Sequence, residues 1–73
     1  MKLSIDRVAE LSARPGVDTD VAFNFLATLD GLTQGQALAN LELDAVAYGW
    51  NVATGRAIQQ GIMEARLGNA EGR

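Results

Sequence analysis

Apolar residues recur along this chain at spacings of three and four, the period of a helix. Ile5, Val8, Ala9 and then Leu11 or Ser12 make a short stripe. It predicts a first helix over about 5–13, capped by Ser4 and stopped by Arg14-Pro15-Gly16. Ala22, Phe25, Leu26 and Leu29 fall at i, i+3, i+4 and i+7, and Val21 and Phe23 widen the face. They predict a second helix over about 19–30. Asp18 or Thr19 caps it, Asp20 sits near its positive end, and Asp30-Gly31 stops it. Thr33 and Gln36 then have the spacing of a capping box. Helical pattern runs on from there to Leu67, with Gly68 in the position of a terminating glycine. β-branched runs are missing and helix formers dominate. The expected architecture is all-α, with two short helices and a long third one over about 34–67. The third is either continuous or broken near Gly49. Residues 1–67 read as one helical domain, and 68–73 as a flexible polar tail.

The third segment holds the most informative pattern. In steps of four from Leu41 it reads Ala45, Gly49, Ala53, Ala57, Gly61, Ala65. Residues four apart share a helix face, so this row of small side chains forms a shallow groove that admits another helix closely, either from the same chain or from a second copy. Alanine alone explains little, because it is the best helix former. Glycine inside a helix costs about 1 kcal/mol relative to alanine. The segment carries Gly35, Gly49, Gly55 and Gly61. Close packing or a break must offset that cost. Larger residues flank the row: Leu38, Leu43, Val46, Tyr48, Trp50, Val52, Ile58 and Ile62. Trp50 is of a type frequent at interface hot spots and equally at home in a core.

Size and composition sharpen this. The chain has 73 residues. A domain of that size hides only about 60% of the surface its unfolded chain exposes. Such a core supplies roughly 3–5 kcal/mol. Small proteins usually add a staple. Cysteine and histidine are both absent, so a disulfide is excluded, and a metal site would need carboxylates alone. No dense carboxylate loop of the calcium-binding kind appears. A second subunit is the remaining staple. The row Ala45, Gly49, Ala53, Ala57, Gly61 and Ala65, with Trp50, is accordingly the expected interface of a homodimer. The missing cysteines suit a reducing cytoplasm, the expected compartment. The segment after Met1-Lys2 is not the apolar run of a signal peptide, and no stretch has the roughly 20 apolar residues that span a bilayer.

Charge bears on partners. The net charge is −3; residues 1–50 carry three cations against seven carboxylates, and residues 51–73 three against two. An acidic first part repels nucleic acid and suits a partner with a basic surface, bound less tightly as salt rises. Catalysis finds little to work with. There is no histidine, no cysteine nucleophile and no phosphate-cradling loop, and Glu42 and Asp44 point apart on a helix. No catalytic residue, metal or cofactor is expected.

The leading functional expectation is therefore a non-enzymatic interaction module: an adaptor, inhibitor or regulatory subunit. It would bind itself and a further protein. The alternative depends on a break at Gly49. Residues 45–58 then resemble a helix-turn-helix, with Asn51 capping the second helix and Ile58 turned to the core. Asn51, Thr54 and Arg56 would face DNA in a small transcriptional regulator. Gly55, standing where such motifs place a branched apolar residue, and the scarcity of cations both count against it.

Overall fold

The computed structural model describes residues 3–65. They form four helices: α1 (Ile5–Ser12), α2 (Thr19–Ala27), α3 (Gln34–Tyr48) and α4 (Val52–Ala65). No strand occurs among them, so the all-α expectation holds. The three-helix expectation is corrected: the long third helix is two helices. Gly49 adopts the left-handed conformation, φ 65° and ψ 42°, which only glycine enters without steric cost. Its N–H and that of Trp50 both bond to the carbonyl of Ala45, the latter at 3.0 Å. These bonds cap α3 in the manner of a Schellman turn. Asn51 then starts α4: its Oδ1 accepts from the Thr54 N–H at 2.8 Å.

The other caps follow the local chemistry. Ser4 accepts from the Arg7 N–H and Asp18 from the Val21 N–H. Thr33 and Gln36 make the reciprocal capping box, at 3.1 and 2.9 Å. α2 is shorter than the apolar pattern suggests. The Thr28 hydroxyl donates to the carbonyls of Asn24 and Phe25, satisfying the frayed end. Leu29 then turns into the core outside the helix. The expected extension of the last helix to Leu67 and the tail at 68–73 lie outside the described residues.

α4 is the central element. It packs against α1, α2 and α3, α1 also packs on α2, and α3 packs on α4 alone among the helices. The result is flat, 36 × 27 × 14 Å. The core joins Val8 and Leu11, Ala22, Leu26 and Leu29, Ala37 and Leu41, and Ile58, Ile62 and Ala65. Gly61 sets its tightest point. A Cβ there would collide with Leu26 Cδ2 and lie 3.3 Å from Leu11 Cδ1. The absence of a side chain therefore seats two leucines, both fully buried. Burial of each contributes about 1.5–3 kcal/mol.

Polar ties surround this core. Arg7 of α1 grips Glu64 of α4 through two parallel bonds, Nε–Oε1 at 2.7 Å and Nη2–Oε2 at 2.6 Å. Gln34 Nε2 donates to the Ile62 carbonyl, tying the start of α3 to the end of α4. No helix among the described residues is long and apolar enough to cross a membrane.

Two measurements check this packing. Gly61→Ala should lose stability in urea unfolding by roughly 1 kcal/mol, since overpacking outweighs the gain in helix propensity. At Gly55 an added Cβ meets nothing within 4 Å. Gly55→Ala should therefore gain roughly 0.5–1 kcal/mol. The second concerns acid. Hydrogen bonds from Arg7, then from Gln60, hold the Glu64 carboxyl well below its ordinary 4.5, at about 2. A depressed carboxyl pKa stabilises the folded state above the unfolded value. That contribution is lost as pH falls from about 4.5 to about 2. Glu64→Gln should flatten the stability–pH curve in that window and leave its slope above it unchanged.

Candidate functional site

The break at Gly49 divides the small-residue row. Ala53, Ala57, Gly61 and Ala65 stay together on one face of α4, and Ala45 and Gly49 go with α3 and its cap. Ala57, Gly61 and Ala65 are buried. The groove at Gly61 is filled within the chain, by Leu26 and Leu11. At the other end a Cβ on Gly16 would lie 3.3 Å from Ala53 Cβ, so the α1–α2 loop presses on the same row. The close contact inferred from the row is present, and α1, α2 and their loop supply it. Trp50 is half-buried against the core, edge-on to Phe25 with ring centroids 5.6 Å apart.

The residues suggested for DNA contact are placed differently. Ile58 is fully buried, as the motif requires. Thr54 is buried too, and its hydroxyl accepts from the Asp18 N–H at 2.8 Å. Asn51 caps α4 and donates through Nδ2 to the Gly16 carbonyl at 2.7 Å. Both side chains join the α1–α2 loop to the start of α4. Arg56 alone of the three is exposed and uncommitted among the described residues.

Leu43, Val46 and Tyr48, three of the six exposed large apolar side chains among the described residues, lie on α3; Ile5, Val52 and Met63 are the others. The inner stripe of α3, Ala37, Leu38, Leu41 and Ala45, faces α4 or the core, with Ala37 and Leu41 buried. By helical periodicity Ala39, Leu43, Val46 and Ala47 fall on the opposite side, and all four are exposed. Leu43 is 68% and Val46 85% exposed. The only charges on the helix, Glu42 and Asp44, project to the two flanks, so the outward face carries none. Tyr48 and Val52, on either side of the turn, are exposed as well. Sequence reasoning passed over this face. Its signal is a second apolar stripe at i, i+4, i+7 and i+8 from Ala39, out of phase with the first.

Beside this face, between α2 and the α3–α4 corner, runs an open groove of about 740 Å³. Phe25, Tyr48 and Trp50 supply aromatic walls, Asp18 and Asp44 carboxylates, and Asn24 an amide. No lysine or arginine among the described residues lines it. The Trp50 Nε1 is buried and makes no hydrogen bond among the described residues.

Comparison with protein-family models, curated proteins and solved structures finds no match to this chain.

The double duty of Asn51 has a measurable consequence. Asn51→Ala removes the α4 cap and the bond to Gly16, and should cost about 1–2 kcal/mol in chemical unfolding. Asn51→Asp keeps the cap and should cost less.

Proposed function

We propose that this chain is a non-enzymatic protein–protein interaction module that pairs with a second copy through the outward face of α3. The observation that carries the reading is the uncharged, exposed stripe Ala39, Leu43, Val46 and Ala47 on a helix that packs on α4 alone. Two-fold pairing sets such a stripe against itself, so one self-complementary patch serves both subunits. α3 has 15 residues. Its length of about 22 Å gives the pair a continuous seam. Tyr48 and Val52 extend the apolar area toward the turn. The small core and the absence of cysteine supply the motive, since association adds stability that the monomer lacks. Glu42 and Asp44 stay at the solvated rims of the seam. Like charges there make pairing tighten, or hold steady, as salt rises.

Duplex recognition draws less support from the same corner. The three-residue turn from Gly49 to Asn51 suits a helix-turn-helix. With Asn51 and Thr54 engaged in the fold, however, Arg56 is the one suggested contact left uncommitted among the described residues, too little for several phosphates.

Light scattering or sedimentation over a concentration series tests the pairing. The unmodified chain should run as a dimer. Leu43→Glu combined with Val46→Glu should weaken association by roughly 100-fold or more, because pairing would bury carboxylates without partners. Far-UV circular dichroism should stay helical. A monomeric unmodified chain, or a double variant that keeps the dimer mass, contradicts the reading.

A further inference from the structure

We infer that the groove between α2 and the α3–α4 corner receives an arginine side chain presented by a partner protein. Asp44 is half-buried and makes no hydrogen bond or ion pair among the described residues. Asp18 spends one oxygen on its cap bond to the Val21 N–H, at 3.3 Å, and has further acceptor capacity. The groove thus offers two carboxylates with no lining cation among the described residues to answer them. That charge pattern selects a cation and rejects phosphates and other anions.

The rings narrow the class. Phe25, Tyr48 and Trp50 border the groove, with Phe25 and Trp50 locked edge to face. A planar guanidinium stacks on such rings and donates bidentately to a carboxylate. A compact, strongly hydrated ammonium does neither as well. The size of the groove, about 740 Å³, admits an arginine together with a short stretch of its backbone. This contact does not rest on pairing through α3. It uses Asp18, Asp44 and Trp50, and it weakens with salt where the seam does not.

The test uses the full chain and a capped Gly-Arg-Gly tripeptide, followed by the NMR signal of the indole N–H of Trp50, the single tryptophan. The arginine peptide should move that signal saturably, with a dissociation constant in the millimolar range, and the side-chain amide of Asn24 with it. The citrulline peptide has nearly the same shape without the charge. It should bind roughly tenfold more weakly, as should the arginine peptide to Asp44→Asn. Asp18→Asn keeps the α2 cap and should weaken binding severalfold. Equal binding of both peptides overturns the inference, as does full affinity in Asp44→Asn or no response to the arginine peptide. A shift that grows with protein concentration alone and vanishes in Arg56→Ala overturns it in favour of a second copy as the occupant.

Discussion

Two leucine side chains occupy the space where a residue other than glycine at position 61 would put its Cβ. This contact of Leu26 and Leu11 with the bare backbone of α4 governs the rest of the structure. It brings α1 and α2 onto one face of α4, so that Val8, Ala22, Ile58, Ile62 and Ala65 close a shared core. It also sets the distance at which Arg7 meets Glu64 and Asn51 reaches the Gly16 carbonyl. α3 has no place on that face. It returns to α4 from the turn at Gly49, held by Ala37, Leu41 and the Gln34 bond to Ile62. Because the small residues of α4 are spent inside the chain, the far side of α3 and the groove at its end are the surfaces on which the proposed contacts are placed.

What could be read from the residues follows the range of the interaction concerned. Ser4, Asp18 and the Thr33–Gln36 pair act on backbone three residues away, so the sequence alone discloses their work. The alanine–glycine row announces that something approaches closely, because small side chains limit distance. It does not say what approaches. Leu26 lies far along the chain from Gly61, and a leucine from a second copy would satisfy the same pattern. The break at Gly49 was legible only as an option. A glycine ends a helix or packs inside one, and the four-step row continues across it without a mark.

The site shows a similar limit. Asparagine, threonine and arginine beside a glycine turn are the residue types that contact bases. They are also the types that cap helices and bridge loops. Asn51 and Thr54 serve the second purpose, because the α1–α2 loop lies against the start of α4 and its free Gly16 carbonyl and Asp18 N–H need partners. The outward stripe of α3 escaped notice for the opposite reason. Leu43 and Val46 look like core residues, and only the placement of α3 on one neighbour exposes them.

These assignments depend on the small row being filled from within the same chain. An isotope-filtered NOE experiment on a mixture of labelled and unlabelled protein separates contacts within one chain from contacts between copies. The account predicts strong cross-peaks between the Leu26 methyls and the Gly61 α-protons within a chain, and none between chains. Cross-peaks from Leu26 of one copy to Gly61 of another would contradict it, returning the small row to the dimer interface and α3 to an unassigned role.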